Sequence, residues 1–212
     1  MINLLEAGNT VYSVDLDNVV IRHSGAAEFA HALEERLLYA RRLSRVTPDT
    51  LLRVKRNVTS GADVLSLLTL LSELYTEVDP RVKERIAALY ESGAPLYANS
   101  GRQSSKIAIA STKRTLERGG VLPLFTDFYF RPPRVLPAVG KADGIRRLIE
   151  RYPERKMRHV ENDWQSAELI AHLFPNVVVY LDPSDRSVRL NRNRPMRSRG
   201  NVYFVNPLRG PK

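Results

Sequence analysis

Residues 11–20, VYSVDLDNVV, place two carboxylates at the end of an apolar run that has the composition of a buried strand. Residues two apart in a strand point to the same side, so Asp15 and Asp17 could share one cavity, although a turn beginning at Leu16 would redirect the second. Two neighbouring carboxylates either repel each other or share a cation. The pair suits an aspartyl nucleophile with an acid/base partner, and the alternative is that both only bind turn and helix-start amides.

Apolar runs alternate with helical periodicity along most of the chain. Further strands are predicted at residues 95–98, 121–125, 157–160, 177–181 and 202–205, and helices at residues 106–118, 141–151 and 164–173. This alternation predicts an α/β fold with a Rossmann-like parallel sheet covered on both faces. Ligands of such sheets bind at the carboxyl ends of the strands, and the polar clusters of this chain fall at those ends.

Residues 25–91 interrupt the alternation, because they contain no convincing strand. They predict four helices, beginning near Ala26, Pro48, Gly61 and Pro80. We therefore expect a core domain of residues 1–24 and 92–212 and an inserted all-helical cap of residues 25–91. By its place in the chain the insertion would hang over the strand ends as a lid, and the alternative is a helical subdomain that packs alongside.

Composition and charge restrict the function. The 212 residues include no cysteine, which excludes disulfides and thiolate chemistry and is typical of a reducing cytoplasm. No run of residues is long and apolar enough to cross a membrane. The net charge is +10, and residues 186–212 hold eight basic residues and no acidic one. Such a stretch favours a polyanionic partner, a nucleotide or nucleic acid, unless it is only a solvated basic surface.

The order of the polar clusters resembles the haloacid dehalogenase superfamily. Asp15 and Asp17 follow the first strand, Ser100 the second, Lys141 precedes the fourth, and Glu161 opens an acidic cluster behind it. The resemblance covers nearly the whole chain, and it implies a phosphatase with a helical cap. The tripeptide at residues 100–102 also resembles the second motif of the polynucleotide 3'-phosphatase and RNA-repair-like branch.

The resemblance implies a role for each carboxylate of the first motif. Asp15 would attack phosphorus and form an aspartyl-phosphate, which divides the hydrolysis into two steps. Asp17 would protonate the leaving oxygen and later activate water. Dehalogenases of this superfamily lack a second aspartate at that place, so Asp17 argues against carbon-halogen chemistry.

Four further residues would bind the phosphorylated substrate. They are Ser100, Gly101, Arg102 and Lys141. The Ser100 hydroxyl would hold a phosphoryl oxygen, or alternatively cap the following helix. Lys141 is expected at the first position of its helix, where the macrodipole disfavours a cation unless the residue has a role; there it would neutralise the nucleophile and the phosphoryl charge.

A magnesium site is the remaining implication. Its ligands would be Asp15 and Asp17, the latter through its backbone carbonyl, with Asn162 at the principal ligand position and the charge from Glu161 or Asp163, because Mg²⁺ prefers oxygen donors. The family usually has Gly-Asp or Asp-Asp where this chain has Glu161-Asn162-Asp163, which leaves the register of the ligands open. Two hypotheses follow: a magnesium-dependent phosphohydrolase acting on a nucleotide or nucleic-acid terminal phosphate, and a catalytically weak protein of this fold that binds nucleic acid through its basic C-terminal region.

Overall fold

The computed structural model of the chain describes residues 8–23, 76–133, 135–183, 188 and 200–209. The three helices predicted to begin near Ala26, Pro48 and Gly61 lie outside these residues, as does most of the basic stretch 186–212. The limits of the cap therefore remain a prediction.

A six-stranded parallel sheet forms the centre of the described structure. Its strands, in spatial order, are β5 (Asp127–Arg131), β4 (Leu96–Gln103), β1 (Thr10–Val14), β6 (Lys156–Glu161), β7 (Val178–Leu181) and β8 (Val202–Tyr203). Every neighbouring pair is parallel. The predicted Rossmann-like α/β fold class is thus confirmed, and the sheet order places β1 in the interior of the sheet.

Helices cover both faces of the sheet because the central strands are apolar on both sides. Helices α1 (Pro80–Glu91) and α2 (Lys106–Arg118) pack on one face, where Tyr12 and Val14 point. Helices α3 (Pro137–Arg151) and α4 (Trp164–Leu173) pack on the other face, where Val11 points. None of the helices in the described residues combines the length and the apolar character needed to cross a bilayer.

The fourth helix predicted for the insertion is observed as α1, and it contributes Val82, Ile86 and Leu89 to the core of the sheet. Pro80 occupies its first turn, where proline costs no hydrogen bond. Just before it, β3 (Thr76–Val78) pairs antiparallel with β2 (Ile21–His23), so the expectation that residues 25–91 contain no strand is wrong at this point. This two-stranded ribbon joins the end of the β1 loop to the start of α1.

The strand predicted at residues 121–125 is wrong. Residues Leu122–Leu124 form a 3-10 turn, and the strand begins later, at Asp127. Pro123 explains the difference, since proline has no N–H for a ladder hydrogen bond and fits the first turn of a helix. Asp127 and Arg131 are therefore the first and last residues of β5.

Candidate active site

The polar clusters meet at one end of the sheet because three adjacent parallel strands end together. Val14 on β1 lies opposite Ala98 on β4 and Val160 on β6. Asp15 continues β1, and its backbone N–H donates to the Val160 carbonyl at 2.9 Å. Because Glu161 follows Val160 and Ser100 lies two residues beyond Ala98, the carboxyl ends of the three strands bring these side chains to the same edge.

Lys141 joins two buried carboxylates at this edge. Its Nζ lies 2.9 Å from Asp15 Oδ2 and 2.8 and 2.9 Å from the two oxygens of Glu161. Only 5% of the Lys141 side chain and 3% of the Asp15 side chain are exposed, and none of Glu161. The other Asp15 oxygen, Oδ1, accepts from the Leu16 backbone N–H at 2.9 Å. Asp15 is thereby held by one cation and one amide.

Glu161 is fixed from behind by a buried histidine. His159 Nε2 lies 3.2 Å from Glu161 Oε2, and its Nδ1 lies 3.1 Å from the Ser13 hydroxyl. Burial and the nearby Lys141 charge lower the pKa of His159 to about 3, so the ring is neutral. A carboxylate only accepts, so we assign the proton to Nε2 and let the Ser13 hydroxyl donate to Nδ1.

Burial dominates the electrostatics of Asp15. It raises the pKa of this carboxyl well above the ordinary value, the charges of Glu161 and Asp17 raise it further, and Lys141 opposes them. Burial alone would lower the pKa of Lys141, but the Asp15 and Glu161 charges reverse the sign and raise it. Lys141 therefore stays protonated.

Helix α3 approaches the sheet closely enough to deliver Lys141 because two glycines line its inner face. A Cβ on Gly144 would lie 2.6 Å from Asn99 Oδ1, and one on Gly140 would lie 2.4 Å from Arg131 Cβ. Asn99 also donates from Nδ2 to the Lys141 carbonyl at 2.9 Å. Helix α3 begins at Pro137, so Lys141 is in its second turn rather than at its start as predicted, and the macrodipole argument does not apply to it.

Asp17 has a different partner. Arg102 Nη2 lies 2.6 Å from Asp17 Oδ1, and Arg102 Nε lies 3.0 Å from Oδ2. The same guanidinium donates from Nη1 to Thr112 Oγ1 at 2.9 Å. Arg102, predicted as a substrate ligand, is thus paired with the predicted general acid. A guanidinium at this distance stabilises the charged form of a carboxylate more than the neutral form.

An irregularity in β4 directs Arg102 to this position. The pairing of β4 with β5 shifts between Ser100 and Gln103, so that Gly101 and Arg102 have no counterpart on β5. The Ser100 Oγ accepts from the Arg102 backbone N–H at 3.1 Å, and buried Arg131 donates to the Gly101 carbonyl. Ser100 does not cap the next helix, because Ser105 accepts from the Ala108 N–H and forms that cap.

Glu161 and Asp163, in the acidic cluster that follows β6, form hydrogen bonds within the fold. Glu161 Oε1 accepts from the backbone N–H groups of Asn162 and Asp163, at 2.9 and 3.0 Å. Asp163 caps α4 through its Oδ2, which accepts from the Ser166 N–H at 2.9 Å and from the Ser166 hydroxyl at 2.7 Å. Within the described ranges, no group of three or more His, Asp or Glu residues is placed to hold a metal ion.

Charge and donor type nevertheless suit a divalent cation. Four carboxylates surround two cations at this edge: Asp15, Asp17, Glu161 and Asp163 against Lys141 and Arg102. With all four carboxylates ionised, the net charge of these six groups is two negative charges. They lie on hard oxygen donors, which Mg²⁺ prefers. Asp15 with the Asn162 amide and the Asp17 carbonyl would hold such an ion, whereas Glu161 and Asp163 would first have to leave their present partners.

Several residues that shape the site are absent from the sequence-based prediction. Asn99, Arg131, Gly144 and His159 hold α3, the β4 irregularity and Glu161 in place. The Gly140 and Gly144 pair, spaced one helical turn apart, is the one signal that the sequence offers for the close approach of α3. The pairing of Arg102 with Asp17 spans 85 positions, and no local pattern predicts a contact of that separation.

The chain shares its fold with haloacid dehalogenase-like hydrolases. It superimposes on a haloacid dehalogenase-like hydrolase of Streptococcus pneumoniae with a TM-score of 0.61 and 12% identity, over 94% of this chain and 95% of that one. A putative haloacid dehalogenase-like hydrolase of Burkholderia xenovorans gives 0.55 and 12%, over 95% and 94%. A predicted phosphatase of Clostridium acetobutylicum gives 0.53 and 12%, over 94% and 95%. No family model matches the sequence, and no curated protein matches it.

Proposed function

We propose that this chain is a magnesium-dependent phosphohydrolase that forms a phosphoenzyme on Asp15. The observation that carries the proposal is the placement of a buried Asp15 at the end of a central strand, with Lys141 on one of its oxygens and Asp17 on the following loop. Nothing in this arrangement suits carbon-halogen chemistry better than phosphoryl transfer, and the second aspartate favours the latter.

The chemistry proceeds in two steps. An Asp15 oxygen attacks phosphorus, the bond to the ester oxygen breaks, and Asp17 gives that oxygen a proton. A water molecule, deprotonated by Asp17, then attacks phosphorus, releases inorganic phosphate and restores Asp15. Lys141 offsets the charge on the nucleophile and on the phosphoryl oxygens. Bound Mg²⁺ would add charge neutralisation at the same oxygens.

Arg102 and Ser100 would take the substrate phosphate. Asp17 holds a proton poorly while Arg102 is paired with it, so the guanidinium must transfer to another anion before the first step. The phosphate dianion is that anion, because Arg binds phosphate with two parallel hydrogen bonds. Substrate binding would thus free Asp17 to take up a proton from solvent, which it then gives to the leaving oxygen. The predicted cap, residues 25–91, would close over this edge and exclude water, except for its last helix, α1, which packs on the sheet.

The substrate class that we propose is a nucleotide or a nucleic-acid terminal phosphate. The basic stretch 186–212 supports it through its charge. One of its eight basic residues, Arg209, is engaged inside the fold with Asp79 and Asp182, so the other seven would make the contacts. A cytoplasmic location agrees with the lack of cysteine.

Hydrolysis by the wild type and by Asp15→Asn tests the proposal. The assay uses oligonucleotides with a terminal 3'- or 5'-phosphate, sugar phosphates and a generic aryl phosphate, each with Mg²⁺ and with EDTA. We expect Asp15→Asn to lose at least ~10³-fold in rate, and Asp127→Asn, which removes an exposed carboxylate from β5, to retain the wild-type rate. Thermal denaturation should show that Mg²⁺ raises the Tm of the wild type more than that of Asp15→Asn.

The second candidate is a nucleic-acid-binding protein with an inactive cleft. The observation that favours it is that Asp17, Glu161 and Asp163 are all bound to protein groups. Wild-type protein that hydrolyses no phosphate ester, but binds an oligonucleotide with an affinity that falls steeply with salt, would establish this function and overturn the first.

A further inference from the structure

Arg209, near the C-terminus, reaches the loop that carries Asp17. Its Nη2 donates to the Asn18 backbone carbonyl at 2.7 Å, across 191 positions of sequence. The same guanidinium lies 2.7 Å from Asp182 Oδ2, behind β7, and 3.3 Å from Asp79 Oδ2, at the start of α1. One side chain thus connects the loop that carries Asp17, the start of α1 and the end of β7.

Arg209 contacts the loop at its turn. Asn18 has φ of 57°, a left-handed conformation that asparagine adopts more readily than most residues with a side chain. The turn is closed by hydrogen bonds from Asn18 N to the Ile21 carbonyl at 2.8 Å and from Ile21 N to the Leu16 carbonyl at 2.8 Å. The Asn18 carbonyl is the group that Arg209 binds. Because Asn18 directly follows Asp17 in this tight turn, a displacement of Asn18 would move the Asp17 carbonyl and carboxylate as well.

Arg209 is itself firmly held, which a positioning group must be. Leu208 beside it is fully buried in the core, and the Leu208 N–H donates to Asn206 Oδ1 at 3.0 Å. Asn206 Nδ2 in turn donates to Asp182 Oδ2 at 2.7 Å. Buried carboxylates on two sides fix the guanidinium, because an unpaired buried carboxylate costs several kcal/mol.

We propose that Arg209 is a positioning residue for Asp17, and that the C-terminal turn of residues 206–209 is therefore part of the catalytic apparatus. This inference rests on the proposed phosphohydrolase function. It assigns to Arg209 a role distinct from the polyanion contacts that the rest of the basic stretch would make. Arg209 touches no substrate; it acts through the Asn18 peptide.

Two substitutions of full-length protein separate positioning from general stability. Arg209→Gln removes all three contacts. Arg81→Gln is the matched control, because Arg81 also pairs with Asp79 but is 54% exposed and does not contact the loop. The double variant Arg209→Gln with Asp182→Asn also removes the carboxylate that Arg209 pairs with behind β7. Arg209→Lys keeps the charge but cannot bridge three groups with one planar fork.

The measurements are kcat and KM on the best substrate of the panel, and amide hydrogen exchange of residues 16–21. We expect Arg209→Gln to lower kcat by ~10–100-fold, since small displacements of a catalytic group cost that much, with KM within about threefold of the wild type. Exchange of the loop amides should be about tenfold faster. The double variant should recover thermal stability but not kcat, Arg209→Lys should recover stability more than kcat, and Arg81→Gln should match the wild type.

The outcomes distinguish the two proposals. If the wild type is active and Arg209→Gln matches Arg81→Gln in kcat and in exchange, Arg209 does not position Asp17. If kcat returns in the double variant together with stability, the effect of Arg209 is on the fold alone, which also overturns the inference. If the wild type has no phosphatase activity, the proposed function fails, and faster exchange in Arg209→Gln but not in Arg81→Gln then decides whether Arg209 holds the loop.

Discussion

Asp15 and Asp17, the two carboxylates of the β1 loop, are separated by a single residue, yet their ion pairs differ in exposure and in what supports them. The Lys141 pair of Asp15 is 5% and 3% exposed and is shared with Glu161, whereas the Arg102 pair of Asp17 is 15% and 12% exposed, and Arg102 also donates to the Thr112 hydroxyl. Lys141 is anchored in a helix packed against the sheet, and Arg102 lies on an irregular stretch of a strand. Under the proposed function, the first pair stays in place throughout the reaction, and the second is the one that a substrate would exchange.

The largest effect is expected from breaking the first pair. Lys141→Met leaves Asp15 and Glu161 buried without a cation, so we expect a loss of ~3–5 kcal/mol in the free energy of unfolding and at least ~10²-fold in kcat. Urea denaturation and steady-state kinetics measure the two losses.

A companion variant separates charge burial from catalysis. Lys141→Met with Glu161→Gln removes one uncompensated carboxylate and should recover ~1–3 kcal/mol of the lost stability through the coupling of the two sites, while activity stays low. Equal recovery of both quantities would mean that Lys141 serves the fold only. A folded, fully active Lys141→Met protein would exclude the assigned role altogether.

The sequence predicts the positions of the strands and helices better than it predicts which side chains form the two ion pairs. The strand ends, and with them the position of Asp15, follow from local patterns, because hydrophobic periodicity decides where strands and helices lie and parallel strands end at one edge. The six-stranded sheet was predicted for that reason. Lys141 was identified through the resemblance to a known family. The strand at residues 121–125 was misplaced because Pro123 sits in an apolar run that resembles a strand in composition but cannot form one.

The sequence did not predict which side chains bind each other. Arg102 was assigned to a substrate phosphate from its position after β4, and its pairing with Asp17 depends on the irregularity of β4 that Arg131 stabilises. The polar run behind β6 could be located but not resolved into roles. Glu161 binds Lys141, and Asp163 caps α4, and both assignments need the three-dimensional distances between elements.

The next effect concerns the exchangeable pair. Arg102→Gln should raise KM by ~10–100-fold, which is the value of a charged hydrogen bond of about 1.5–3 kcal/mol, with a smaller loss in kcat. Stability should change little, because Asp17 keeps access to water. Arg114→Gln, an exposed arginine on α2, is the charge-matched control. A purely stabilising role of Arg102 would instead lower the Tm and leave KM unchanged.

A smaller effect is expected from the spacing of α3. Gly144→Ala adds a Cβ 2.6 Å from Asn99 Oδ1, and relieving that contact should cost ~1–3 kcal/mol of stability. Because Asn99 also holds the Lys141 carbonyl, kcat should fall while the KM set by Arg102 stays near that of the wild type. Gly200→Ala, where the added Cβ meets open space, should change neither. An unchanged kcat in a destabilised Gly144→Ala protein would show that Lys141 tolerates a shift of its helix.

The smallest effect is expected on the outer side of α3, which provides an exposed reference for the buried pair of the same helix. Asp143 accepts hydrogen bonds from Arg146 and Arg147, and the Arg146 bond is the main reason that its pKa lies below the ordinary value. A carboxyl whose pKa is lowered on folding stabilises the protein above its unfolded pKa, near 3.9, and loses this contribution as the pH falls through the folded pKa. Asp143→Asn should therefore lower the Tm slightly at pH 7, and the difference from the wild type should vanish in acid and shrink in high salt. If its loss at pH 7 equalled that of Lys141→Met, burial would not be what distinguishes the inner charges of this helix from the outer ones.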